Sequence, residues 1–439
     1  MRRAARVVAL VGLGALALAP LSVLAQGPAR AEPPAPAAPP APAVVLLSFD
    51  GVRPDYLDRG ELPALERLVR EGARAEGLVP VFPSVTFPGH ASLATGTHPD
   101  HHGIVANRFL DPELGEFDYA GDARFLDAEP LWAAAERQGV RAASFFWVGS
   151  ETDWRGVGAS YRKTPFDGTV KESEKVDQIL AWLDLPASER PGLVMSWWHG
   201  ADSMGHRYGP DDEAVTRQLR DQDRELARLL AGLDARGAWA WTTLLVVSDH
   251  GMIAVTELVD AGAILEAAGI RARVFQGGSY AHVHLADPTQ RDAALRVLAA
   301  EEGLRALPAG EVPEALRARH PTRIGHVVAF TDPPRMLSRG GGRLALWSGV
   351  RGLLGQPVGT HGYDPTRVPE MHGILLAHGR GVAPGTSLGH VHTIDVAPTV
   401  ARLLGIEPPR HAEGAAVAGI GPVPGAPERA TAPGAAPAR

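Results

Sequence analysis

Apolar residues fall along this chain in two alternating patterns. Short, largely apolar runs at Ala43–Phe49 and Thr242–Ser248 read as strands buried on both faces, the habit of parallel sheets covered by helices. Between and after them, apolar positions recur at helical spacing. Leu62 to Gly72 is one such stretch, and Glu213 to Leu233 places Val215, Leu219, Leu226, Leu229, Leu230 and Leu233 on one face. Arg141–Val148, Gly192–Trp198 and Gly373–Ala377 add further strands, and Val396–Leu404 a closing helix. The alternation predicts an α/β fold with a mostly parallel central sheet flanked by helices. From about 272 to 345 the rhythm changes. Strands at Ala281–Leu285 and His326–Phe330 bracket an Ala/Leu-rich helix at Arg291–Ala300, which reads as a small inserted α+β subdomain.

The two ends carry different patterns. Arg2, Arg3 and Arg6 precede an apolar stretch from Val7 to about Leu24, and Val23-Leu-Ala25 has the small-x-small form of a signal cleavage site, with Ala29-Arg-Ala31 as a later alternative. The stretch approaches membrane-spanning length, but Pro20 and the cleavage-like residues favour removal. Residues 1–25 are therefore expected to be a signal peptide, cut as late as residue 31, with export to the periplasm or the medium and no stable membrane span afterwards. Residues 32–43 form an Ala/Pro linker and 411–439 an Ala/Pro/Gly tail expected to be disordered, leaving 44–410 as the catalytic domain.

Charge and cysteine usage narrow the chemistry. The formal charge of −7 becomes −10 when the three arginines of residues 1–25 are removed, and −11 if Arg30 goes with them. That balance argues against a nucleic-acid polymer as partner. The chain has no cysteine, which excludes disulfides, thiolate catalysis and Cys-type zinc sites.

The candidate chemistry lies at strand ends. Asp50 follows the first strand in Ser48-Phe-Asp-Gly51, and Asp249 and His250 follow another in Ser248-Asp-His-Gly-Met252. Ligands in open α/β sheets collect beyond the carboxyl ends of strands, so these groups can converge. In Asp202-Ser-Met-Gly-His206 a carboxylate and an imidazole four apart share one face of a helix or turn, and His361 sits between glycines in Gly359-Thr-His-Gly-Tyr-Asp364. Carboxylate and imidazole without thiolate suit catalytic zinc, with manganese or iron as alternatives. Thr86 is the candidate nucleophile. It begins a predicted helix, where backbone N–H groups and the dipole favour phosphate, and metal coordination would activate its hydroxyl. Asn107 is placed to donate a hydrogen bond to a developing phosphate oxygen.

Seven motifs occur in order: Phe49-Asp-Gly51, Thr86-Phe-Pro-Gly-His90, Gly96-Thr-His-Pro-Asp-His-His-Gly-Ile104, Asp202-Ser-Met-Gly-His206, Tyr208-Gly-Pro210, Ser248-Asp-His-Gly-Met252 and Gly359-Thr-His-Gly-Tyr363. As a set they resemble the nucleotide pyrophosphatase/phosphodiesterase family of the alkaline phosphatase superfamily. The resemblance implies an alkaline-phosphatase-like core and two Zn²⁺ per chain. Asp202, His206 and His361 would hold one ion, and Asp50, Asp249, His250 and the Thr86 oxygen the other. It implies in-line attack by Thr86, a phospho-threonine intermediate that water then hydrolyses, and Asn107 sharing the charge on the phosphoryl oxygens.

The resemblance also implies a small phosphodiester substrate, a nucleotide first. Phe87 and Phe166 stand where family members that cleave nucleotides stack the base; Phe166, in Pro165-Phe-Asp-Gly-Thr-Val170, replaces the usual tyrosine. Trp197-Trp-His-Gly-Ala-Asp202 departs from the acidic pair that animal members tend to carry before the metal motif. Lipid head groups are a second substrate class. A phosphomonoesterase of the same superfamily would need extra cations, for which Arg162 and Lys163 are the nearest candidates. A non-catalytic binding protein would be expected to have lost a ligand or the nucleophile, and every such position is filled. The remaining histidines, His101 and His102 included, read as structural.

Overall fold

The computed structural model describes residues 40–339 and 358–421. The expected signal, most of the linker, residues 340–345 of the expected insertion and 422–439 of the expected tail lie outside the described residues. Eight strands form the central sheet in the spatial order Thr386–Ser387, Ala73–Arg74, Leu375–Gly379, Thr242–Val247, Ala43–Phe49, Leu193–Trp198, Ala142–Phe145 and Tyr161–Lys163. Ala43–Phe49 occupies the middle, parallel to both neighbours, with Val44 opposite Leu193 on one side and Thr243 on the other. Leu375–Gly379 runs antiparallel beside Thr242–Val247, so the sheet is mostly, not wholly, parallel.

The middle strand is buried throughout and apolar but for Ser48, because both its faces are covered. Val44 and Leu46 enter a buried cluster beneath the helices Thr86–Thr95, Leu131–Arg137 and Val396–Leu404. Val45, Leu47 and Phe49 point the other way, into a cluster under Pro63–Glu71, Glu172–Leu183 and Glu213–Ala235. The last of these starts where Asp212 accepts the Ala214 N–H at 2.8 Å, an N-cap bond. Thr86–Thr95 is buried on every side, as expected of a helix with no polar face. No helix among the described residues is long and apolar enough to cross a membrane.

Beside this core stands a four-stranded antiparallel sheet in the order Ala272–Gly277, Tyr280–Leu285, Val327–Thr331, Leu304–Pro308. The helices Ala261–Ala267 and Arg291–Ala299 cover one face of it through Ala261, Leu265, Ala294 and Leu298. Its other face turns Tyr280, Val328 and Phe330 toward the main core. The unit therefore begins earlier than the expected boundary near 272. Ala261–Ala267 buries only Ala261 and Leu265, too sparse a pattern to announce a helix.

The expected tail is corrected in its first part. Residues 411–421 pack on the core instead of being disordered. Glu413 accepts hydrogen bonds from Thr97 Oγ1 at 2.6 Å and from Arg317 at 2.7 Å, the Ala415 N–H reaches Asp395 at 2.8 Å, and Val417 and Ile420 are buried. Apolar residues at wide intervals, with the carboxylates of Glu413 and Asp395, hold this segment.

Candidate active site

Three neighbouring strands deliver most of the site. Asp50 follows the middle strand, Asp249 and His250 follow Thr242–Val247 on one side, and Asp202 and His206 ride on the helix Gly200–Tyr208 after Leu193–Trp198 on the other. His361 comes from farther away, after Val358–Thr360, which pairs antiparallel with Ile253–Val255. Backbone bonds lock the junction: the Asp50 N–H donates to Trp198 O at 3.0 Å and the Asp202 N–H to Asp50 O at 3.1 Å. Gly51 makes this approach feasible. It sits at φ +70°, and a Cβ there would lie 3.0 Å from Asp202 Cβ, so a side chain would displace the carboxylate.

The side chains converge on two adjoining positions. Around the first, His250 Nε2 lies 3.4 Å from Asp50 Oδ1, 3.2 Å from Asp249 Oδ2 and 3.2 Å from Thr86 Oγ1. Around the second, His206 Nε2 lies 3.0 Å from His361 Nε2 and 3.4 Å from Asp202 Oδ1, which is 3.6 Å from His361 Nε2. His250 stacks on His361 with ring centroids 3.7 Å apart, and its ligand atom also lies within 4.8 Å of those of Asp202 and His361. The two positions share a wall.

Each imidazole is oriented by its other nitrogen. Nδ1 of His250, His206 and His361 meets the carbonyl oxygens of Gly251, Gly359 and Ser84 at 2.8, 2.9 and 3.1 Å. A nitrogen facing a carbonyl carries the proton, which in a neutral ring leaves Nε2 with a lone pair aimed inward. Two such lone pairs 3.0 Å apart repel unless a cation or proton lies beside them. Asp50 Oδ1, Asp202 Oδ1 and Asp249 Oδ2 are buried as well, with no hydrogen-bond donor of suitable geometry. Burial, then the charges of Asp249 and Asp202, push the Asp50 carboxyl well above the usual carboxylate range. Burial, then His250 and His206, hold His361 well below the usual imidazole range. Crowded carboxylates and neutral imidazoles with inward lone pairs are the donor set of a divalent cation site.

Thr86 opens its helix, with Val85 as the cap residue. His90, one turn on, puts Nδ1 2.8 Å from the Thr86 carbonyl and 3.3 Å from Asp249 Oδ2, tying the helix to the carboxylate. Other hydroxyls nearby are engaged. Ser84 donates to Tyr363 O at 2.7 Å, and Ser92 meets His102 Nε2 at 2.9 Å. His102 also accepts the Ile104 N–H on Nδ1 at 3.1 Å, so it braces the motif loop; burial drives it down to about 3. Asn107 Oδ1 accepts the Phe87 N–H at 2.9 Å, which leaves its amide N–H₂ to donate elsewhere, and the Tyr119 hydroxyl also interacts with this side chain.

The two predicted aromatics differ. Phe87 is 5% exposed, edge-on to Phe117, Tyr119 and Trp197. Phe166 is 40% exposed and stacks on Trp197 at 4.7 Å, so it offers the open face. Sequence reasoning assigned no role to Trp197, Tyr119 or His90. His90 stood inside a quoted motif, but nothing local marks its reach to Asp249.

A family model for type I phosphodiesterase / nucleotide pyrophosphatase matches residues 44–364. The chain belongs to this family. Its relatives include an uncharacterized pyrophosphatase/phosphodiesterase of Schizosaccharomyces pombe, 38% identical over 217 residues, which are 48% of this chain and 44% of that protein. That match thus spans less than half the relative's length. The Bis(5'-adenosyl)-triphosphatase enpp4 of Xenopus laevis is 28% identical over 390 residues, 83% of this chain and 78% of that one. Among solved structures, murine ectonucleotide pyrophosphatase / phosphodiesterase 5 superposes with a TM-score of 0.75 at 25% identity, covering 83% of this chain and 96% of that chain. The core the chain shares with this family is therefore alkaline-phosphatase-like.

Proposed function

We propose that this phosphodiesterase is an exported two-zinc enzyme that hydrolyses phosphodiester or phosphoanhydride bonds, nucleotides first, through a phospho-threonine intermediate. The observation that carries this reading is the Thr86 hydroxyl at a helix N-terminus, 3.2 Å from an inward-facing imidazole nitrogen that also faces Asp50 and Asp249. Asp50, Asp249, His250 and the Thr86 oxygen fit one zinc, and Asp202, His206 and His361 the other; their stranded oxygens and oriented Nε2 atoms support the fit. When bound, two such ions supply Lewis-acid charge to the attacking and leaving oxygens.

The protein's own groups then have defined tasks. Thr86 Oγ1 attacks phosphorus in line, the bond to the leaving oxygen breaks on the opposite side, and water later cleaves the phospho-threonine. Asn107, its amide oriented by the Phe87 N–H, donates to a non-bridging phosphoryl oxygen. Phe166 presents the stacking face for a base. A murine phosphodiesterase 5 structure is described as an inactive Thr-to-Ala variant in complex with AMP, which supports both the nucleophile type and the ligand class.

Diesters are favoured over monoesters because the candidate monoester cations lie on an edge strand and Arg162 is already paired. Arg162 lies on the Tyr161–Lys163 edge strand, three places from the middle strand, and pairs with Asp153 at 2.7 Å. The p-nitrophenyl ester of thymidine monophosphate is expected to exceed p-nitrophenyl phosphate in kcat/KM by about 5- to 150-fold, since base stacking alone is worth about 1–3 kcal/mol. A preference for the monoester would overturn this reading. Export rests on the basic and apolar N-terminal residues; N-terminal sequencing of the secreted product should begin at Gln26 or Glu32, and an intact Met1 on a cell-retained product would refute it.

A further inference from the structure

Asp50 has two oxygens with different surroundings. Oδ2 accepts the Trp197 indole N–H at 2.8 Å, while Oδ1 has no donor and faces His250 Nε2. Trp197 sits opposite Ser48 in the parallel pairing of the two strands, so the sheet sets where the indole stands relative to Asp50. The ring is itself confined. Phe166 stacks on it at 4.7 Å, Phe87 meets it edge-on at 6.4 Å, and His90 packs at 5.3 Å. From below, the buried Lys175 Nζ donates to the Trp197 carbonyl at 2.8 Å.

We propose that Trp197 is a positioning residue for Asp50, its N–H holding one carboxylate oxygen so that only the other is presented to the cation site beside Thr86. The inference rests on the two-zinc reading above and adds a residue that touches neither ion nor nucleophile. A free carboxylate can rotate about Cβ–Cγ and offer either or both oxygens; a buried N–H bond to Oδ2 removes that freedom. Outer partners of metal ligands act in this way by fixing ligand orientation before the ion arrives. The same indole lies under Phe166, the exposed aromatic, so the substrate platform and the carboxylate share one support.

The test removes the N–H and keeps the ring. 3-Benzothienylalanine, a sulfur isostere of tryptophan without the donor, is placed at position 197 of the full chain, with W197F as the second variant. Zinc binding to the apo proteins is measured by calorimetry and chelator competition. The expected result is two sites in the native chain and, in both variants, one site weakened by about 10–100-fold with the other unchanged. Two sites of native affinity in the isostere variant would overturn the inference and leave the two-zinc reading standing. A native chain that binds no zinc would overturn both. Equal weakening of both sites, or a lower Tm with native affinities, would show a structural role only and also overturn it.

Discussion

Replacing Thr86 by alanine is expected to lower kcat by about four orders of magnitude or more, in the range seen when nucleophiles are removed from other hydrolases. No neighbouring hydroxyl can substitute. Ser84 is committed to the Tyr363 carbonyl and Ser92 to His102. The Thr86 hydroxyl alone stands beside His250 Nε2 at the start of the helix. The six acid and imidazole groups hold their places through the sheet and through backbone carbonyls, so zinc content should stay near native. Thr86→Ser keeps the oxygen and should keep measurable turnover. Initial rates on a chromogenic diester, with metal content by atomic emission on the same samples, decide the matter. Full activity in a clean T86A preparation would exclude the nucleophile.

Chelation is the second large effect. EDTA should abolish turnover, and added Zn²⁺ should restore it. Stability should fall as well, because Asp50, Asp249 and Asp202 then confront one another across a buried space. Ions present at 100 to 1,000 times their dissociation constant contribute about 2.7–4.1 kcal/mol to the folded state, so Tm should drop by several degrees in the stripped protein. Activity and melting curves followed through stripping and reloading check both. Indifference of activity to chelation would sink the metal assignment.

How much of this could be read from the residues follows from where the information lies. Ala43–Phe49 and Thr242–Val247 are buried at every step and apolar except at Ser48, Thr242 and Thr243, because helices cover both faces, and that condition is written locally. Glu213–Ala235 is amphipathic because one side meets the sheet and the other meets water. The candidate ligands could be picked out because carboxylates and histidines at or just beyond strand ends form a recognisable set. Groups acting across the fold were not. The Trp197 indole finds Asp50 across 147 positions, and Glu413 finds Thr97 across 316; no local pattern reports such pairings. Ala272–Gly277 is mostly half-exposed, so its alternation is blurred. The described end of the chain looked structureless because its few anchors are separated by alanine and glycine.

All the candidate ligands but His361 and Thr86 leave from three hydrogen-bonded strands, and this limits how the site can be altered. Neighbouring strands stand about 4.8 Å apart in any sheet. The spacing between the Asp50, Asp249 and Asp202 carboxylates is thus tied to the pitch of the backbone more than to individual residues. Exchanging a single carboxylate or imidazole can tune affinity or metal preference. Widening or narrowing the reach for a different leaving group would require re-registering the central sheet, which turns every side chain of the moved strand to its opposite face.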